Sequence, residues 1–236
     1  MDSRQLRDKD RDPVRPAVAA LPGRYGFELF CRLFLRTYCR LAVRGTSPPQ
    51  DGPFLICANH RSHLDSIAIM AALAHLSFAD CALLAARDYF FREPLRLKLL
   101  ERLLPLIPFD RRPKRHGFQR TAEACGAFLQ AGGHVLIAFP EGTRGQGPAM
   151  ATFKRGPALL ALTLGLPILP VHVAGSGEIL AKGRMLPRPG RIVVRLGSLI
   201  DPGRIPRDGD LRRLSRELAG RIEDSVRALS QRPEGA

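Results

Sequence analysis

The stretch Phe54-Leu55-Ile56-Cys57-Ala58-Asn59-His60-Arg61-Ser62-His63-Leu64-Asp65 decides the fold. Five consecutive apolar residues, preceded by Gly52-Pro53, have the length and composition of a strand buried on both faces. A helical pattern then runs through Ile67–Leu76, so the polar residues between them occupy a strand-to-helix turn. In an open parallel sheet, such turns border the crevice at the carboxyl ends of the strands, where ligands bind.

The same alternation continues outward. Cys81-Ala82-Leu83-Leu84-Ala85 reads as a strand, Leu95–Leu104 as a helix, and Ile107-Pro108-Phe109 as a short strand. A helix through Thr121–Gln130 is stopped by Gly132-Gly133, and His134–Phe139 is the clearest strand. Ala158–Leu164 reads as a helix, and Ile168–Val173 and Ile192–Leu196 as strands. Leu211, Leu214, Leu218, Ile222, Val226 and Leu229 recur every three or four residues, a helical stripe. Upstream, the proline-free segment Tyr25–Val43 reads as a helix, followed by a linker at Pro48-Pro49. The fold expected is α/β: a single domain with a largely parallel central sheet flanked by helices, plus an N-terminal amphipathic helix. Residues 1–23 are expected to be a flexible leader, 24–45 the amphipathic helix facing a membrane, and 46–230 the main domain.

Composition narrows the function. The chain has 236 residues, with 37 Lys+Arg against 22 Asp+Glu and a net charge of +15, an excess that needs an anionic partner. Nucleic acid is disfavoured as that partner: there is no Trp, there are only three Tyr, and no aromatic–basic interleaving marks a strand. Five scattered cysteines with no C-x-x-C spacing exclude a disulfide framework and fit a reducing compartment. The charged start, MDSRQLRDKDRDPVRP, lacks the apolar segment of a signal peptide. Gly156 to Gly177 carries no formal charge, yet Pro157, Pro167 and Pro170 divide it into a short helix and a short strand of the core.

Within the polar turn, His60 and Asp65 are the candidates for chemistry. Five residues apart on one helix they would sit about 140° around the axis, so they pair only if His60 lies in the turn and Asp65 in the first helical turn. A neutral imidazole removes a proton from a hydroxyl near neutral pH, and a carboxylate on its other nitrogen fixes the tautomer. Two other readings stay open on spacing alone. Asp65 can act only as a helix cap with His60 a loop residue, or His60, His63 and Asp65 can hold a metal, although the spacing fits no metal signature. Ser62 reads as a turn or cap group and His63 as a bystander.

Four blocks in order, NHRSHLD at 59–65, IPFDR at 107–111, FPEGTR at 139–144 with FKRG at 153–156, and LPILPV at 166–171, resemble the lysophosphatidic acid acyltransferase family over about residues 24–200. The resemblance implies that His60 is the general base and Asp65 its orienting partner, and that Arg111 contacts an acceptor phosphate. It further implies that Glu141, Gly142, Thr143 and Arg144 bind the acceptor. The chain departs from the family pattern at Gly145, where a serine is usual. No metal and no cofactor is implied; acyl-CoA or acyl carrier protein enters as the acyl-donor substrate. The second block reads equally as a solvated basic loop, the third as an ordinary surface turn and the fourth as core. Lys154 or Arg155 is a candidate for an anionic group of the donor, and His172 reads as a core histidine with its hydrogen bonds satisfied.

Arg32, Arg36 and Arg40 recur at steps of four in the first helix and are continued by Arg44, while Phe27, Phe30, Phe34, Leu35, Tyr38 and Leu41 supply its apolar surface. This pattern is expected of a helix lying in a membrane interface against anionic lipid, and Leu95–Leu104 repeats it more weakly. The reading is an O-acyltransferase, peripheral or monotopic on the cytoplasmic membrane face, that acylates a lysophospholipid, most simply 1-acyl-sn-glycerol-3-phosphate to give phosphatidic acid. The alternatives are a related acyltransferase acting on another lysolipid, a glycerol phosphate or an amino-acid lipid, or a non-catalytic membrane-binding protein.

Overall fold

The structure is a computed structural model that describes residues 22–86, 103–109, 115–145, 150–181, 183–184, 186–204 and 210–232. Its described elements are α1 (Pro22–Thr37), β1 (Ala42–Gly45), β2 (Phe54–Ala58), α2 (Leu64–Ala72), β3 (Cys81–Ala86) and β4 (Leu106–Phe109). They continue with α3 (Arg115–Gln130), β5 (Val135–Ala138), α4 (Gly156–Leu164), β6 (Ile168–Ala174), the short α5 (Ser176–Ile179), β7 (Val193–Leu196) and α6 (Leu211–Ser230).

The strands form one seven-stranded sheet in the order β1-β7-β6-β2-β5-β3-β4. β6, β2, β5, β3 and β4 run parallel; β7 is antiparallel to β6, and β1 is parallel to β7. The expected α/β class with a largely parallel sheet is therefore observed. β2 is central, fully buried, and flanked by β5 and β6. Its side chains alternate between two cores. Phe54, Ile56 and Ala58 pack with Cys31 and Leu35 of α1 and Ile69 and Met70 of α2. Leu55 and Cys57 pack on the other face with Cys125 of α3, Leu160 of α4, and Leu218 and Ile222 of α6. Burial on both faces is why this strand reads as one unbroken apolar run.

The uncharged stretch 156–177 does split, into α4, β6 and the start of α5; the helix-to-strand break falls at Gly165–Pro167, while Pro157 sits in the first turn of α4 and Pro170 within β6. The N-terminal helix requires two corrections. It ends at Thr37, not near Val43: Arg40 turns the chain with φ of 43°, and Ala42–Gly45 forms the edge strand β1. Nor do its arginines form one outer polar stripe: Arg36 is exposed, and Arg40 and Arg44, also exposed, lie beyond the helix. Arg32 points inward, donating from Nη2 to the Leu76 carbonyl at 2.6 Å and from Nε to Glu28 at 2.9 Å, and Arg24 is 9% exposed. The cause is the end of α2 and the turn after it, whose carbonyls need donors. The face left outward is apolar, with Tyr25, Leu29, Phe30 and Leu33 between 58% and 69% exposed. The expected helix Leu95–Leu104 lies outside the described residues except for Leu103 and Leu104, as do Asp110, Arg111 and Arg112 and the leader up to residue 21.

Candidate active site

The carboxyl ends of β2, β5 and β6 lie side by side, and the polar turn after β2 is fixed from each neighbour. On the β6 side, Asn59 grips the backbone of Val173, donating from Nδ2 to its carbonyl at 2.9 Å and accepting its N–H at 2.7 Å. From β5, the Glu141 carboxylate accepts the His60 N–H at 2.7 Å, and the Gly145 N–H donates to the His60 carbonyl at 3.0 Å. His60 is thus held at both ends of its own backbone. Its ring lies against Phe139, with centroids 4.0 Å apart and planes within 16°.

His60 Nδ1 and Asp65 Oδ2 are 3.0 Å apart. The turn places the histidine before α2 and the aspartate within its first turn, the only arrangement in which this spacing pairs them. The same Asp65 oxygen accepts the N–H groups of Arg61 at 2.6 Å and Ser62 at 2.8 Å. Asp65 therefore holds the turn before α2 and the imidazole at once; it is not the helix cap, since the N-cap residue of α2 is His63, with no side-chain cap bond. The Asp65 side chain is fully buried and the His60 side chain 18% exposed, which confines solvent access to the imidazole. With Nδ1–H directed at the carboxylate, Nε2 keeps the lone pair.

Ser62 serves the turn itself: its hydroxyl donates to the Leu180 carbonyl at 2.8 Å and accepts the Leu64 N–H at 3.3 Å. His63 lies partly in solvent, yet loss of hydration around its ring, with the Arg144 cation beside it, pushes its imidazole down to about 4. It is a weaker base than an ordinary histidine. No group of three or more His, Cys, Asp or Glu side chains arranged to hold a metal occurs among the described residues.

After β5 the chain turns at Gly142, whose φ of 73° suits glycine, and a Cβ there would lie 2.5 Å from Lys154 Nζ. The turn carries Thr143, exposed, and Arg144, half-buried, on the same edge as His60. Glu141 differs from its implied part. The residue is 4% exposed, and its carboxylate oxygens accept the N–H groups of His60 and of Ala151, the latter at 3.1 Å, so it ties the turn after β2 to Ala151. The structure thus brings together His60, Asp65, Glu141, Gly142, Thr143 and Arg144; Arg111 lies outside the described residues. Sequence reading assigned no part to Asn59 and Phe139, although both sit inside the quoted blocks, immediately after their strands.

A family model described as Acyltransferase matches residues 40–174. The 1-acyl-sn-glycerol-3-phosphate acyltransferase alpha of Mus musculus is 30% identical over 159 residues, covering 66% of this chain and 53% of that protein. An enzyme of the same description from Pseudomonas aeruginosa is 30% identical over 161 residues, 67% of this chain and 58% of its own length. A Chlamydomonas reinhardtii protein of that description is 28% identical over 171 residues, 68% and 46% respectively. The chain therefore spans about half the length of the curated relatives it matches. Among solved structures, the 1-acyl-sn-glycerophosphate acyltransferase of Thermotoga maritima aligns with a TM-score of 0.61 at 22% identity, over 89% of this chain and 83% of that one, a likeness of fold.

Proposed function

The chain belongs to the acyltransferase family, and on that premise we propose that it moves a fatty acyl chain from acyl-CoA or acyl carrier protein to the free hydroxyl of a lysophospholipid, with 1-acyl-sn-glycerol-3-phosphate as acceptor and phosphatidic acid as product. The observation that carries the proposal is the buried Asp65 carboxylate, 3.0 Å from His60 Nδ1 and held by two backbone N–H groups. Nε2 takes the acceptor hydroxyl proton as the oxygen attacks the thioester carbonyl. A C–O bond forms, the tetrahedral intermediate collapses with loss of the C–S bond, and the imidazolium returns its proton to the departing thiolate. Asp65 stabilises the imidazolium between these steps. A positioned base of this kind contributes about 10²–10⁴ in rate. Arg144 on the β5 turn and Arg111 after β4 supply cations for the acceptor phosphate.

The acceptor and product are lipids, and no helix among the described residues is long and apolar enough to cross a membrane. The outward stripe Tyr25, Leu29, Phe30 and Leu33 of α1 docks the enzyme on the cytoplasmic lipid surface, with the basic excess facing anionic headgroups. Thiol release from a long-chain acyl-CoA, measured in detergent with lysophosphatidic acid, a zwitterionic lysolipid or no acceptor, tests the assignment. Release that requires lysophosphatidic acid is expected. Release with the zwitterionic lysolipid alone would overturn the acceptor, and silence with both CoA and carrier-protein donors would overturn the enzyme.

A further inference from the structure

His172, read from sequence as a satisfied core histidine, is not one. Its Nδ1 is buried and has no hydrogen-bond partner. The residue lines an open pocket of about 850 Å³ together with Asn59, Arg61, Gly145, Gly175 and Glu178. Across the β6–β7 ladder His172 pairs with Arg195, a guanidinium-bearing side chain only 6% exposed. Among the described residues no carboxylate lies within ion-pair distance of Arg195. Burial and the nearby cations of Arg195 and Arg61 push His172 down to about 4, so at neutral pH it offers an uncharged N–H. Gly175, with φ of 82°, is set so tightly on Arg191 that a Cβ would meet the Arg191 carbonyl, which keeps the turn after β6 flat against this wall. Glu178 is the opposing charge on the rim.

Position gives the pocket its meaning. β5, whose following turn carries Arg144, lies on one side of β2; β6 and β7, which carry His172 and Arg195, lie on the other. Arg61, the residue after His60, reaches toward the second side, where its side chain packs beside Gly145 and Gly177. An acceptor phosphate held on the first side leaves the second facing whatever approaches His60 from across β2.

We propose that the pocket between Arg61, Gly145, His172 and the turn after β6 is a phosphate-binding subsite for the pantetheine-bearing arm of the acyl donor. This rests on the acyl-transfer reading above, but its test does not need turnover. Arg61, on the pocket wall, meets the phosphate charge, Arg195 adds positive charge from behind His172, and the half-buried His172 imidazole turns its N–H to a phosphate oxygen.

Binding of CoA, of 4′-phosphopantetheine and of glycerol 3-phosphate to the full chain is measured by calorimetry, alongside the His172 imidazole resonance by NMR. CoA is expected to shift that resonance. Arg61→Gln and His172→Leu, each confirmed folded by its thermal melt, are expected to weaken CoA about tenfold or more. Equal dependence for 4′-phosphopantetheine supports the subsite; dependence seen with CoA alone would place a nucleotide phosphate there and overturn the assignment to the pantetheine arm. An unmoved resonance, CoA affinity within twofold of wild type in both variants, or a response to glycerol 3-phosphate alone would overturn it. A chain that binds CoA in this way but transfers no acyl group would refute the proposed function and keep the subsite. One that transfers acyl groups while CoA ignores His172 would refute the subsite alone.

Discussion

Replacing Asp65 by Asn removes a charge and changes almost no volume. One Asp65 oxygen accepts from His60 Nδ1 at 3.0 Å, from the Arg61 N–H at 2.6 Å and from the Ser62 N–H at 2.8 Å. If the amide carbonyl takes that place, the three donors keep an acceptor, but the imidazolium formed during transfer loses its counter-charge. The amide nitrogen then occupies the site of Oδ1, which is buried and has no partner, so its N–H groups go unmet. If the amide flips, its NH₂ opposes two backbone N–H groups and the turn opens. The first case removes the counter-charge and the second the orienting bond as well, and a fall in kcat of about 10²–10⁴ is expected, equivalent to about 2.7–5.5 kcal/mol of barrier. Weaker, uncharged hydrogen bonds to the turn cost about 1–3 kcal/mol of stability, which for a chain of this size lowers Tm by about 2–12 °C. The assay is acceptor-dependent thiol release at a temperature where the variant is folded by its melt. A variant that keeps more than about a third of wild-type kcat would refute the orienting role of Asp65.

Three further outcomes are expected. Glu141→Gln leaves one of its two backbone donors opposed by an NH₂ group; a loss of about 1–3 kcal/mol in chemical denaturation is expected, with kcat falling more than the KM for the acceptor. Glu28 is opposed by its own partial burial, but hydrogen bonds from the Phe78 N–H and the Ser77 hydroxyl, with the Arg32 guanidinium, outweigh this and hold it below the usual carboxylate range. Its contribution is therefore present above the carboxylate's ordinary pKa and lost as pH falls through the lowered one, so an acid titration of stability should show a step that Glu28→Gln lacks. Leu29→Ser combined with Leu33→Ser removes two exposed apolar side chains of α1; weaker flotation with anionic vesicles and an unchanged melt are expected, at about tenfold per leucine.

The parts of the molecule legible in sequence are those whose physics is local. β2 was readable because a strand covered on both faces is apolar at every position, and α6 because Leu214, Leu218, Ile222 and Val226 all face one core. The dyad was readable because a histidine and a carboxylate beside a strand end have few packing uses. β1 was not: it is a four-residue edge strand, largely exposed and containing Arg44, with no proline or glycine before Gly45 to separate it from the helix pattern. The orientation of α1 was hidden as well. Arg32 could face solvent or protein, and the choice is made by the Leu76 carbonyl and the Glu28 carboxylate, which no periodicity reveals. Glu141 is the same case within the site. A carboxylate after a strand reads as a ligand group until the His60 N–H is found 2.7 Å away.

Transfer through His60 is tested most directly by acceptor-dependent thiol release in His60→Ala, with the thermal melt establishing that the variant is folded. The expected result is a native-like melt with release reduced by about 10²-fold or more. A folded His60→Ala that releases thiol in response to lysophosphatidic acid at the wild-type rate would contradict it.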